Sequence, residues 1–155
     1  MPPVSSSRCE RSIPVTSSTD IILVQRAARR LATELGFDER GQWEIAIAVS
    51  EAASNISKYT PGGAVTLRAH KEDDGGGFFE FEALDEGEGI DDIPLALRDG
   101  VSQGRDLATY EGPDRPCSLG SGLGAIVRLM DQVSISNRAK GGLSIVARKA
   151  LRCPV

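Results

Sequence analysis

Neither a run of lysine and arginine, nor a Cys-x-x-Cys pair, nor an apolar stretch long enough to cross a bilayer occurs in this chain of 155 residues. Each absence removes a class of function. The formal net charge of −4, with basic residues scattered along the chain, denies it the electrostatic footprint of a nucleic-acid binder. Cys9, Cys117 and Cys153 are odd in number and far apart, so they outline neither a disulfide framework nor a zinc site, and a reducing cytoplasm is the expected setting. Residues 1–8 lack the apolar core of a signal peptide, so a soluble, intracellular protein without membrane association is expected. His70, the one histidine, falls at a strand end with no second ligand nearby in the sequence, which argues against a metal or catalytic role. With 40% hydrophobic content, the length suits one domain around a single core.

What is present is organised around Asp85-Glu86-Gly87-Glu88-Gly89-Ile90. Phe79, Phe81 and Ala83 alternate with Glu80, Glu82 and Leu84, which predicts a half-buried strand ending in Asp85, with that carboxylate at a sheet edge. An ionised carboxylate only accepts hydrogen bonds, so it suits an exocyclic amine such as that of adenine, while Gly87 and Gly89 let the backbone approach a flat ring. Upstream, Ile45, Val49, Ala52, Ile56 and Tyr59 recur at helical spacing as core positions, and Ala48, Glu51, Asn55 and Lys58 share the adjacent face. Glu51 and Asn55 are thus one turn apart, an acid and an amide oxygen turned the same way. Downstream, Gly120-Ser121-Gly122-Leu123-Gly124 opens a helix with an apolar stripe of Leu123, Ile126, Val127 and Met130. A glycine-rich helix start offers free N–H groups and a positive dipole end to phosphates.

The rest of the chain frames these motifs. Residues 1–10 are rich in proline and serine and are expected to form a disordered tail before a domain over 11–155, with Ser12 to Val15 as a short edge strand. Ser18, Thr19 and Asp20 offer caps to a helix carrying Val24, Ala27, Ala28, Leu31 and Leu35, stopped by Gly36; Asp38 caps the next helix, which ends before Pro61. Val65, Leu67 and Ala69 alternate with Thr66 and Arg68, and Asp73-Asp74-Gly75-Gly76-Gly77 turns that strand into the one ending at Asp85. A loop over 91–119, with a short helix near 95–99, has the length of a lid or binding segment. A last hairpin joins residues 133–136 to 143–147 through Lys140-Gly141-Gly142. Helices segregated from hairpin strands predict an α/β two-layer sandwich, with helices on one face of a mixed, mostly antiparallel sheet and polar residues such as Thr66, Arg68, Glu80 and Glu82 solvated on the other.

An acid-and-amide helix, a strand ending in Asp-x-Gly-x-Gly and a loop ending in Gly-x-Gly-x-Gly, in that order, resemble the nucleotide site of the GHKL superfamily of ATPases and kinases. The runs Ser50-Glu51-Ala52-Ala53-Ser54-Asn55-Ile56 and Gly122-Leu123-Gly124-Ala125-Ile126-Val127-Arg128-Leu129-Met130-Asp131 narrow the resemblance to the RsbT and RsbW type of serine/threonine kinase in bacterial anti-sigma factor switches. It implies a Bergerat-type ATP-binding fold, with ATP and Mg²⁺ as cofactors. It further implies Glu51 as general base, Asn55 as the Mg²⁺ ligand and Asp85 as the reader of the adenine amine. Gly87, Gly89 and Ile90 would meet the ring, and Gly120, Ser121, Gly122, Leu123 and Gly124 the phosphates. The cation on the γ-phosphate stays open among Lys58, Arg98, Arg105 and Arg115. The implied activity is phosphorylation of a STAS-domain antagonist protein, with a sigma factor, a phosphatase regulator or a second copy of the chain as further partners. A nucleotide-binding module that acts by sequestering its partner is the alternative; a stand-alone ATPase is weaker, because no transducer domain follows the site.

Overall fold

The helical hairpin follows from its caps. The chain begins α1 (Ser18–Leu35) from an N-cap at Ser17 rather than at the three residues after it. The Asp20 carboxylate turns back to accept the backbone N–H groups of Thr16 at 2.9 Å and Ser17 at 3.2 Å, and the Thr16 bond leads in holding its pKa below the usual carboxylate range. Gly36 closes α1 at φ 106°, a left-handed conformation, and its N–H donates to the carbonyls of Ala32 and Thr33. Two residues later the Asp38 carboxylate caps α2 (Glu39–Tyr59) by accepting the Gly41 N–H at 2.8 Å.

The computed structural model describes residues 7–89, 101–102, 105–106 and 122–152. Around the helical hairpin it sets β1 (Ser7–Val15), β2 (Gly63–Lys71), β3 (Gly77–Asp85), β6 (Gln132–Asn137) and β7 (Leu143–Leu151), with a two-strand ribbon of β4 (Val101–Ser102) and β5 (Arg105–Asp106), and α3 (Gly122–Leu129) before β6. The main sheet has the order β1-β2-β3-β7-β6.

Alternation decides which face of the sheet is dry. Val65 and Leu67 on β2, Phe79, Phe81 and Ala83 on β3, and Ile145 and Ala147 on β7 are buried, and they meet Val24, Ala28 and Leu31 of α1 and Ile45, Val49, Ala52 and Ile56 of α2 in one continuous core. The two-layer α/β sandwich stands, with a refinement: every described pairing in the main sheet is antiparallel, so the sheet is not mixed. The first strand also reaches further than its Ser12 to Val15 core suggests. Pairing from Ser7↔Lys71 to Val15↔Gly63 takes in residues 7–10, which composition assigned to the tail. Tyr59 and Val127 are exposed rather than core, because each lies near the end of its helix, whereas Met130, just beyond α3, is buried.

The polar face of the sheet is more than a solvated surface. Glu10, Arg68, Glu80 and Arg148 stand in register across β1, β2, β3 and β7 and alternate in sign. Arg68 pairs with Glu10 at 2.9 Å, Glu80 at 3.2 Å and Glu82 at 3.5 Å, and Arg148 meets Glu80 at 3.0 Å while its guanidinium lies 3.8 Å over the Phe78 ring. The hydrogen bond to Glu10 leads in raising the Arg68 pKa, opposed by desolvation and supported by the other two acids. His70 belongs to this network: its ring stacks on Phe78 at 5.0 Å and contacts Arg8 and Glu72 through its two nitrogens.

Candidate functional site

The inward alternation of β3 carries Asp85 into the interior at the strand's end, leaving it 8% exposed. β3 is the central strand, so this carboxylate sits at the end of the sheet's middle rather than at its edge. Its Oδ1 accepts two backbone N–H groups, from Gly87 at 2.9 Å and Leu143 at 3.1 Å. Among the described residues Oδ2 takes no hydrogen bond, and no buried side-chain polar atom lacks a partner, so Oδ2 is not sealed from solvent. One oxygen is fixed and the other remains a free acceptor.

The loop after Asp85 is clamped from two sides. Thr60, the residue that ends α2, lies so close to Gly87 that a Cβ there would come 2.8 Å from its Cγ2. On the other side, the turn between β6 and β7 closes over the loop. Arg138 Nη1 donates to the Asp85 carbonyl oxygen at 2.6 Å, and a Cβ on Gly89 would strike the side chain of Asn137. Gly142, at φ 91°, passes so near the Asp85 carbonyl that only a residue without a Cβ fits. Gly87 and Gly89 are therefore required first by the chain's own close packing. Thr60, Arg138, Gly142 and the Leu143 N–H were not legible as part of this corner. Their one sequence signal is the Lys140-Gly141-Gly142 turn, which reads as a hairpin and does not disclose that the hairpin leans on β3.

Helix α2 supplies the second half of the corner. Gly63 packs between Asp85 and Ile56, since a Cβ on it would lie 2.9 Å from Asp85 Cα and 3.1 Å from Ile56 Cγ2, so β3 ends against the last turns of α2. Glu51 and Asn55 stand one turn apart on that helix, each half-buried, and neither has a hydrogen bond or ion pair with another described residue. Above them lies the start of α3. A Cβ on Gly122 would be 3.2 Å from Glu51 Oε2 and 3.5 Å from Asn55 Oδ1, so the absence of a side chain at Gly122 lets a helix N-terminus rest directly over an acid and an amide. Gly122, Leu123 and Gly124 open α3 as described and are buried, at the helix end where backbone N–H groups and the positive end of the dipole lie.

The structure thus brings Glu51, Asn55, Gly122, Leu123 and Gly124 together, and sets Asp85, Gly87 and Gly89 against the far end of the same helix. Lys58 is exposed, three residues beyond Asn55. Ile90, Gly120 and Ser121 lie outside the described residues, as do the short helix near 95–99, Arg98, Arg115 and most of the loop over 91–119. A cleft beneath the turn from α1 to α2 shares no residue with this corner. Within it Glu44 pairs with Lys149 at 2.7 Å and Arg40 at 2.9 Å, and the Lys149 hydrogen bond leads in lowering the Glu44 pKa.

An open acceptor at a strand end, an acid and an amide a turn apart, and a helix start above them are the kinds of groups that an anionic, amine-bearing ligand can use. The model of the histidine kinase-like ATPase domain matches residues 16–149, nearly the whole chain. The chain belongs to this family. The serine/threonine-protein kinase RsbT of Bacillus subtilis (strain 168) is 34% identical over 140 residues, covering 90% of this chain and 96% of the relative. The match to the histidine kinase-like ATPase domain includes α2, the end of β3 and the start of α3, so all three parts of the corner lie inside the matched region. Among the described residues no helix is long and apolar enough to cross a membrane.

Proposed function

We propose that this chain is a Mg²⁺- and ATP-dependent serine/threonine protein kinase of a bacterial partner-switching pathway, and that its substrate is a STAS-domain antagonist protein. One observation carries the reading: Gly122 allows the N-terminus of α3 to lie over Glu51 and Asn55, so phosphate-binding N–H groups, an amide oxygen and an unpaired carboxylate converge. The likeness to RsbT supports kinase activity and a protein substrate.

Each residue has a separable task. Asp85 Oδ2 accepts a hydrogen bond from the adenine amine, while its Oδ1 bonds to Gly87 and Leu143 keep the carboxylate from turning away. The first turn of α3 takes the phosphates. Among the described residues no group of three or more His, Cys, Asp or Glu side chains can hold a metal. Mg²⁺ is commonly held by one or two protein oxygens together with substrate phosphates, and Asn55 Oδ1, a hard oxygen beside the Glu51 carboxylate under the start of α3, would serve as such a ligand. Bound there, the ion would neutralise charge on the phosphates. Glu51 accepts the proton of the incoming serine or threonine hydroxyl as its oxygen forms a bond to the γ-phosphorus and the bond to the ADP oxygen breaks.

The test is direct. Mg²⁺ and ATP together should raise the melting temperature, because a ligand bound only by the folded state stabilises it by mass action, and label from γ-labelled ATP should appear on a STAS-domain protein of the same genome. No melting shift at millimolar Mg²⁺ and ATP would remove the nucleotide site. A shift with no transfer to any of those proteins would leave a nucleotide-dependent sequestering module in place of a kinase.

A further inference from the structure

Residues four apart on a helix share a stripe, and Trp43, Ile47 and Glu51 are such a row on α2. The helix buries Ile45, Val49, Ala52 and Ile56 inward, yet leaves Trp43 42% and Ile47 43% exposed on the outward side. Between Ile47 and Asn55 the outward residues are Ser50 and Ser54, both small, so nothing on α2 rises between this apolar step and the carboxylate. The guanidinium of Arg29, from α1, lies 4.0 Å over the Trp43 ring. Arg29 has no ion pair with a described residue, whereas Arg30 and Arg40 carry Glu34 and Glu44. A chain with net charge −4 thus sets an arginine without an ion pair directly on its exposed tryptophan, with Glu39 the one acid at the outer end of the same row.

We propose that the row Trp43–Ile47–Glu51 is the docking track of the phosphoacceptor protein, which presents an apolar patch edged by carboxylates about 12 Å from its acceptor hydroxyl, the length of eight helical residues. The proposal rests on the kinase reading for what arrives at Glu51. Tryptophan and arginine are the side chains that most often anchor a protein interface, and the pair here is pre-packed, so little freedom is lost on docking. The charge selects the partner. Arg29, without an ion pair and fixed on the Trp43 ring, favours a carboxylate on the partner, which a second copy of this chain would meet with the same arginine.

Trp43 is the only tryptophan, so its emission reports on this surface. The protein should be titrated, without nucleotide and then with Mg²⁺ and ATP, with each purified STAS-domain protein of its own genome, against a Trp43→Phe control that removes any signal from the added protein. The expected result is a shift of Trp43 emission with the protein that becomes phosphorylated. Ile47→Glu and Arg29→Glu should each raise KM for that protein about tenfold or more, with kcat and the nucleotide-induced melting shift unchanged. Glu51→Ala should show the opposite split, kcat falling while the emission shift stays.

The outcomes separate the two ideas. An emission shift without phosphate transfer keeps the docking track and ends the kinase reading. Transfer with Trp43 emission unmoved, or with KM unchanged in both folded variants, overturns the docking track and leaves the kinase. Emission unmoved by every STAS-domain protein, with no transfer, overturns both. An emission shift that follows the protein's own concentration would make this face a contact between copies, and would also overturn the proposal.

Discussion

Two groups of charged and polar side chains lie at the two faces of β3, and the chain treats them in opposite ways. On the open face Glu80, its side chain 13% exposed, is held between Arg68 and Arg148, and the row from Glu10 to Arg148 neutralises itself within the chain. At the corner beyond the strand's end, Glu51, Asn55 and Asp85 Oδ2 bond to no described residue, although each is at least partly withdrawn from water. Solvent reaches these acceptors, yet no described residue bonds them, and their gathering under a helix start is what a ligand with donors and negative charge would meet. The paired row needs nothing further. The difference separates charge that builds the sheet from charge that the chain leaves unbonded.

The largest effect should come from removing the amide. Asn55→Ala should lower Mg²⁺-dependent nucleotide affinity by about 10- to 100-fold and take transfer down with it, while folding without nucleotide stays near wild type. Calorimetric titration with and without Mg²⁺ checks this; an unchanged affinity would detach Asn55 from the metal. Asp85→Asn should cost less, about tenfold, and selectively, because it replaces an acceptor with a group that also donates. Competition by ATP and inorganic triphosphate measures it, and an equal loss for both would remove the adenine role. The sheet should behave in the opposite sense. Glu80→Ala leaves two guanidinium groups facing each other and should lower stability by about 1–2 kcal/mol, roughly 2–8 °C in Tm, with the nucleotide-induced stabilisation intact. A loss of nucleotide binding in that variant would erase the contrast between the two regions.

How far the sequence discloses this arrangement depends on the range of the contacts. Glu51 and Asn55 were legible because helical spacing alone puts them on one face, and capping by Asp38 and termination before Pro61 fix the helix that carries them. The strand ending at Asp85 was legible for the same local reason, strict alternation, but its place in the middle of the sheet rather than at an edge was not. What lay hidden was long-range. That β7 pairs with β3, bringing the Leu143 N–H and the Arg138 guanidinium onto Asp85, joins residues more than fifty positions apart, and no period in the chain encodes it. The self-neutralising row across four strands is hidden likewise, because Arg68 and Glu80 read as solvated until register sets them side by side.

The account's central claim is that the two residues one turn apart on α2 have different jobs, Asn55 in binding and Glu51 in the proton transfer alone. The measurement that tests it most directly is nucleotide affinity and single-turnover phosphoryl transfer in Glu51→Ala with the phosphoacceptor protein present at saturation. The account requires affinity within about twofold of wild type and transfer slower by about 10² or more, the usual contribution of a general base. Transfer at the wild-type rate, or affinity lost together with rate, would contradict it.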